Sequence, residues 1–294
     1  MGLSLLASVL FGVTFFAAGV VDAAPEAVFG WRGVVTALCY GAVLLAAPAR
    51  RRARDLIRRC AARPALVAVL IVNAVLIGVQ MWLFVWAPAH GYGLDASLGY
   101  LLFPIGMVLV GRIGFTESVT AAQWTAVGIA CVAVGVKLVA SGSLSWLSCA
   151  VFAANVGYFA LRRRFRLEGP EVFAAEVFIM APIAVVFIAL YPAVPSVSAA
   201  LMVLGIGVGG TIAVSAYVAA AGLLSFPMFG LLSYAEPVGL FAASLLLGEH
   251  LDAADGVTYG LLAVALAVLA VAGFRGRGTA VTAVPLDTVT PACP

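Results

Sequence analysis

Apolar runs of about twenty residues follow one another along almost the whole chain, each ended by a short cluster of charges, prolines or glycines. About twenty residues is the length at which one α-helix crosses the hydrocarbon of a bilayer. The breaks fall so that segments occupy 2–22, 26–48, 64–87, 93–111, 120–139, 143–162, 169–190, 197–220, 227–247 and 253–273. Runs such as Leu261 to Ala272 do not alternate apolar with polar positions, which argues against a transmembrane β-barrel. Gly12 and the glycine-rich stretch from Gly205 to Gly210 mark the first and eighth segments as places where a helix bends or breaks. The pattern predicts an all-α integral membrane protein with ten transmembrane helices.

The same pattern is written twice. Leu10-Phe11 answers Val151-Phe152, and Pro25-Glu26 answers Pro170-Glu171, each Pro-Glu opening a new segment. Pro104 with Glu117 thirteen residues on answers Pro237 with Glu249 twelve residues on. The offsets fall from 141 and 145 to 133 and 132, as one insertion in the first half, around the arginine-rich loop at 50–63, would produce. Five spans per copy turn the second copy upside down, the build of an alternating-access transporter. The expected units are a first five-helix repeat over 1–140, an inverted second repeat over 141–275, and a disordered cytoplasmic tail over 276–294.

Composition narrows the class. Hydrophobic residues make up 64% of the chain and charged residues 10%, too apolar for a water-facing surface. The basic residues fix an orientation through the positive-inside rule. Arg50, Arg51, Arg52, Arg54, Arg58, Arg59 and Arg63 lie between segments two and three, and Arg162, Arg163, Arg164 and Arg166 between six and seven. Arg112 follows segment four, and Arg275 and Arg277 follow segment ten. With ten spans all of these share one side, so that side and both termini are expected in the cytoplasm. The other loops carry Asp22, Glu26, Asp95, Glu249, Asp252 and Asp255. The first segment lacks the basic start of a secretory signal and reads as a retained span. Cys39, Cys60, Cys131, Cys149 and Cys293 have neither metal nor redox spacing.

Charges inside the apolar segments are costly and point to function. Arg32, Lys137, Glu176 and Glu236 are such charges. Lys137 is close enough to a segment end to snorkel to the headgroups. Arg32 and Glu176 follow the two Pro-Glu openings by six or five residues. Two readings are open for them: pairing across the halves, or anchoring each its own half, with a role in coupling or gating. Glu236 precedes Pro237, and Pro104 is the matching proline of the first half. Proline breaks at matching positions are what a central site at interrupted helices leaves in a sequence. Polar side chains fall at helical spacings: Asn73 and Gln80, Ser97 and Tyr100, Asn155 and Tyr158, Thr211 and Ser215, Ser233 and Tyr234 with Glu236. Of these, Asn73, Gln80, Tyr100, Pro104, Asn155, Tyr158, Ser233, Tyr234, Glu236 and Pro237 are the candidate substrate-binding set. Trp82 reads as a cavity wall or a lipid-facing ring, and Gly205 with Gly209 as a helix-packing pair.

The segment SLGYLLFPIGMVLVGRIGFTESVTAAQWTAVGIACVAVGV resembles the first-repeat signature of the EamA-type drug/metabolite transporter superfamily, in its RarD-like and YddG-like members. SYAEPVGLFAASLLLGEHL is similar to the second-repeat counterpart, and Arg32 in WRGVV sits where these proteins commonly have an arginine. The resemblance covers roughly residues 2–275. It implies a bacterial inner-membrane secondary transporter that exports neutral or aromatic amino acids, with no cofactor, metal or nucleic acid and with protons as a possible coupling ion. The chain departs from strict symmetry in having Glu236 before Pro237 but Phe103 before Pro104. No phosphate-binding Gly-Lys-Ser/Thr loop is present, so ATP hydrolysis is not expected. The alternative reading is an intramembrane enzyme acting on a lipid or isoprenoid. Against it, His90 and His250 lie at loop ends, and Glu249, Asp252 and Asp255 form a loose acidic loop.

Overall fold

A computed structural model of the chain describes residues 2–116, 118–142, 144–167, 169–191, 194–223 and 235–275. Ser233, Tyr234, Glu117 and the tail at 276–294 lie outside the described residues. The described residues form helices joined by short connections, with no strand. In chain order they are α1 (Gly2–Val20), α2 (Pro25–Val43), α3 (Ala47–Ala62), α4 (Ala65–Ala89), α5 (Gly93–Gly114) and α6 (Ala121–Ser141). The second half gives α7 (Trp146–Arg164), α8 (Pro170–Leu190), α9 (Val197–Leu223), α10 (Ala235–Leu246) and α11 (Ala253–Arg275).

Local chemistry sets where these helices start and stop. Pro25 and Pro170 occupy first positions, where a missing N–H costs nothing, and Glu26 and Glu171 follow in the electropositive first turn. Thr120 and Gln123 form a capping box at the start of α6. Most of these helices are apolar around their whole circumference, the pattern of helices buried in a bundle and in lipid. By length and composition α4, α5, α6, α8, α9 and α11 can each cross a membrane, giving six spans, or seven if the bent pair α2 and α3 is one span. Leu6–Val20 and Glu236–Leu246 are shorter apolar helices. The chain is thus a multi-pass helical membrane protein.

One element differs from the sequence expectation. The arginine-rich stretch at 50–63 is not a loop: it lies in α3 up to Ala62 and turns through 107° from α2. Its arginines are spaced so that one face stays apolar, and Leu56 on that face packs against Leu70, Leu167 and Val172. Arg59 reaches the α7–α8 turn, its Nη2 donating to the carbonyls of Phe165 and Arg166 at 3.2 and 3.0 Å.

Part of the helix packing is matched when the two halves are exchanged, although the α1–α4 and α2–α4 contacts have no counterpart of similar extent in α7–α9 and α8–α9 among the described residues. Matching α1, α2, α4, α5 and α6 with α7, α8, α9, α10 and α11 makes three contacts self-paired: α2 with α8, α5 with α10, and α6 with α11. The α1–α9 contact answers α7–α4, α1–α10 answers α7–α5, and α2–α9 answers α8–α4. Close approach comes from small residues. A Cβ added at Gly99 of α5 would lie 2.7 Å from the Ser148 carbonyl oxygen and from Val151 Cβ on α7. On α9 the packing glycines are Gly207, Gly209 and Gly210, facing Val35, Thr14 and Arg32. Gly205 faces open space, so the expected pairing of Gly205 with Gly209 is not the seam.

Several polar residues act as stitches between helices. Thr36 and Thr211 hydroxyls meet at 2.9 Å, and Tyr40 and Ser215 at 3.3 Å, joining α2 to α9. Ser97 bonds Tyr259 at 3.0 Å and so joins α5 to α11. The acidic loop is also ordered. Gly248, at φ 90°, turns the chain after α10, a backbone form that glycine adopts without a Cβ clash. Glu249 then accepts the N–H groups of Gly93 and Leu94 at 2.6 and 2.8 Å, capping α5 with a carboxylate. Asp255 in the first turn of α11 pairs with Lys137 near the end of α6.

Candidate functional site

The expected binding residues separate into two layers along the bundle. The ends of α4 and α10 and the starts of α2, α5 and α7 share one side, here called the acidic end; the other is the arginine-rich end. At 1.5 Å per residue, Arg32 and Tyr100 lie about 10 Å below the acidic end. Gln80 and Asn155 lie about 13 Å down and Glu236 about 15 Å down, close to the middle of a roughly 30 Å hydrocarbon layer.

In this first layer Gln80 is the junction of three helices. Its Nε2 donates to the Val151 carbonyl of α7 at 2.6 Å, and its Oε1 accepts the Tyr100 hydroxyl of α5 at 3.4 Å. Asn155 donates to the same Val151 carbonyl at 3.1 Å, and its amide lies beside the Tyr100 hydroxyl. Tyr100, Pro104 and Glu236 are half-buried, whereas Gln80 and Pro237 are buried. Pro104 lies within α5 one turn past Tyr100, and Pro237 lies in the first turn of α10 beside Glu236.

Arg32 itself is only 3% exposed. Its guanidinium carbon sits 4.8 Å from the centre of the Phe84 ring, and Nε and Nη1 have no hydrogen-bond acceptor.

The second layer lies toward the arginine-rich end. Glu176 of α8, with no exposed surface, accepts the Tyr158 hydroxyl at 2.7 Å and Arg162 Nη1 at 3.0 Å through the same oxygen. Arg162 also donates to the Tyr158 hydroxyl, and its Nη2 donates to the Gly169 carbonyl at 3.1 Å. Asn73 of α4 lies beside Glu176, yet its amide and Glu176 Oε1 complete no hydrogen bond. Asn73, Tyr158 and Glu176 therefore do not join Gln80 and Tyr100 in one cluster. Glu176 pairs with Arg162 on the neighbouring helix, so the pairing of Arg32 with Glu176 across the halves is not formed.

Arg162 is the residue that sequence reading misplaced, as one of four loop arginines. The spacing 155, 158, 162 put it on the helical face of Asn155 and Tyr158, and that was the available signal.

Aromatic rings crowd the acidic end. Trp86 stacks on His90 at 4.2 Å and on Tyr92 at 5.7 Å. Trp82 packs against the core that α1 and α4 share, with its Nε1 buried and unpaired. A recess of about 420 Å³ opens at this end, lined by Gly19, Asp22, Pro25, Ala89, His90 and Pro195 among others. Among the described residues no group of three or more His, Cys, Asp or Glu side chains is placed to hold a metal ion.

No family model matches the chain. It is similar to a protein of Pasteurella multocida named as an uncharacterized transporter, 33% identical over 85% of this chain and 88% of that one. A similarly named protein of Haemophilus influenzae is 32% identical over 92% of both. The chloramphenicol-sensitive protein RarD of Pseudomonas aeruginosa is 36% identical over 65% of this chain and 66% of that one. A crystal structure of another protein superposes with a TM-score of 0.59 at 19% identity, over 93% of this chain and 96% of that one.

Proposed function

From the premise that the chain belongs to the RarD-like group of the drug/metabolite transporter superfamily and is a membrane transporter, we propose that it exports small metabolites by alternating access. Neutral or aromatic amino acids are the substrate class, and the path runs between two inverted five-helix halves, residues 1–140 and 141–275. The arginine-rich end and both termini face the cytoplasm of a bacterial inner membrane.

The observation that carries this reading is the division of buried polar side chains into two layers along one interface. Gln80 and Tyr100, with Glu236 at a similar depth, form the layer nearer the acidic end. Arg162, Tyr158 and Glu176 form the layer locked by an ion pair. An ion pair that ties the two helices at the arginine-rich end is a contact that alternating access would make in one state and break in the other. The matched pairs α1–α9 with α7–α4, α1–α10 with α7–α5, and α2–α9 with α8–α4 support two halves that rock against each other.

Purified protein in liposomes is expected to exchange at least one labelled neutral or aromatic amino acid in counterflow, above the rate of empty vesicles. Failure across a panel of these amino acids would overturn the substrate class. Glu236 is the candidate proton carrier for coupled transport, and a flux indifferent to an imposed pH gradient would remove that role.

A further inference from the structure

Six arginines and one carboxylate, Asp55, lie in α3. Topology asks only that such charges stay on one side of the membrane, which a loose loop does as well as a helix. Here they are held in fixed places. Ala49, Ala53, Leu56 and Cys60 recur at helical spacing and form the inward line of α3, with Leu56 buried and the other three half-buried. Leu56 and Cys60 pack into the cluster with Leu70, Leu167 and Val172, and the two hydrogen bonds of Arg59 clamp the helix to the α7–α8 turn.

The outward side is a row of cations without anions. Arg50, Arg54 and Arg58 fall four residues apart, so they stand one above the other, and all three are exposed. Like charges at that spacing repel. Asp55 meets only Arg58, at 3.6 Å, with the two side chains 69% and 80% exposed, where an ion pair contributes little. Arg50, Arg51, Arg52 and Arg54 make no side-chain hydrogen bond or ion pair with a described residue.

Apolar side chains are exposed beside that row. Ile57, 66% exposed, is three residues from Arg54 and next to Arg58, and Leu45, 78% exposed, stands at the bend before α3. A soluble anion would answer the arginines and leave Ile57 and Leu45 in water, whereas a phospholipid answers both. The placement agrees with this. α2 packs along α4, α8 and α9, and α3 turns 107° away from it, so α3 lies across the bundle axis at the arginine-rich end.

We propose that α3 is a docking surface for anionic phospholipid head groups: Arg50, Arg54 and Arg58 bind the phosphates, and Ile57 and Leu45 sit among the upper acyl carbons. Basic and apolar side chains adjacent on one helix are the means by which helices lie in the plane of an anionic interface. Packing on α4 and α8 presents the row in a fixed frame, so the arginines are ordered before lipid arrives. This surface requires a multi-pass membrane protein and is independent of what is transported.

Native mass spectrometry of the full chain in a neutral detergent, with phosphatidylglycerol and phosphatidylcholine of identical acyl chains, supplies the test. Wild-type protein is expected to favour phosphatidylglycerol by roughly tenfold or more. Gln at Arg50, Arg54 and Arg58 together is expected to bring the preference to within about twofold of none, and Lys at the same three positions to keep most of it. Arg112→Gln, an exposed arginine outside α3, is expected to leave it unchanged. Ile57→Ser is expected to weaken binding of both lipids. Inorganic phosphate at matched ionic strength is expected not to displace phosphatidylglycerol; displacement would overturn lipid as the occupant.

Equal binding of the two lipids by wild-type protein, or an undiminished preference in the triple Gln variant, would overturn the proposal. If the triple Gln variant does not fold, Arg54→Gln and the salt dependence of wild-type protein decide. The preference is expected to shrink in both, in the second as salt rises from about 0.05 to about 0.5 M. A preference unmoved by either change would count against the arginine row.

Discussion

Replacing Arg162 by methionine while Glu176 stays in place is expected to destabilise the detergent-solubilised protein by about 3–5 kcal/mol, because it strands a carboxylate with no exposed surface and one remaining donor. Glu176→Leu is expected to cost a similar amount by stranding the guanidinium. The double variant, with apolar side chains of similar size at both positions, is expected to recover most of the loss, since the desolvation of both charges disappears together. Unfolding of the four proteins in denaturant supplies the comparison, and the coupling between the two changes measures the pair directly. Additive losses would mean that Arg162 and Glu176 act separately and do not form the latch. The same double variant is expected to hold its arginine-rich end open more of the time, because α7 and α8 are no longer tied there.

The second large effect is expected at Gln80. Leucine at this position removes the donor to the Val151 carbonyl and the acceptor of the Tyr100 hydroxyl, two contacts that set the spacing of α4, α5 and α7. Each buried group left unsatisfied costs about 1–3 kcal/mol, and the polar junction of the first layer is lost with them. Counterflow is expected to fall by roughly tenfold or more, since a site built on hydrogen bonds loses discrimination steeply when one partner is deleted. Tyr100→Phe removes only the hydroxyl and is expected to cost less. Lys137→Met, at the α6–α11 contact away from both layers, is expected to leave selectivity unchanged. A loss of the same size at Gln80 and Lys137 would tell against the first layer as part of the path.

Much of the architecture was legible because lipid constrains it so strongly. Each of the ten apolar segments contains a helix, since a chain in hydrocarbon must satisfy its own backbone hydrogen bonds, but among the described residues only six, or seven with the bent α2–α3 pair, are long and apolar enough to cross a membrane. The stretch at 50–63 was read as a loop because its charge density masks the apolar line through Leu56, which only packing against Leu70 and Leu167 brings out. Helical spacing correctly put Asn155 and Tyr158 on one face, but spacing carries no depth. The two residues belong to different layers, because Tyr158 turns to Glu176 while Asn155 turns to its own helix and toward Tyr100. Counting Arg162 with the loop arginines suits the topology and misses its chemistry, as its partner lies on α8, across the α7–α8 turn. Glu249 looks like part of a loose acidic loop for a similar reason: the N–H groups it caps, of Gly93 and Leu94, lie in the other half of the chain. Sequence reported which residues were unusual, and tertiary contact decided what each one does.

The central claim is that one path between the halves opens alternately to either side. Its most direct measurement is the labelling of single cysteines by a membrane-impermeant maleimide, in protein whose Cys39, Cys60, Cys131, Cys149 and Cys293 have been replaced. Ala150→Cys reports on the acidic half of α7, and Asn73→Cys on the layer beside Glu176. The account predicts that position 150 labels from the acidic side, position 73 from the arginine-rich side, and that a transported amino acid moves the two rates in opposite directions. Labelling of both positions from one side, or rates that rise and fall together, would contradict it.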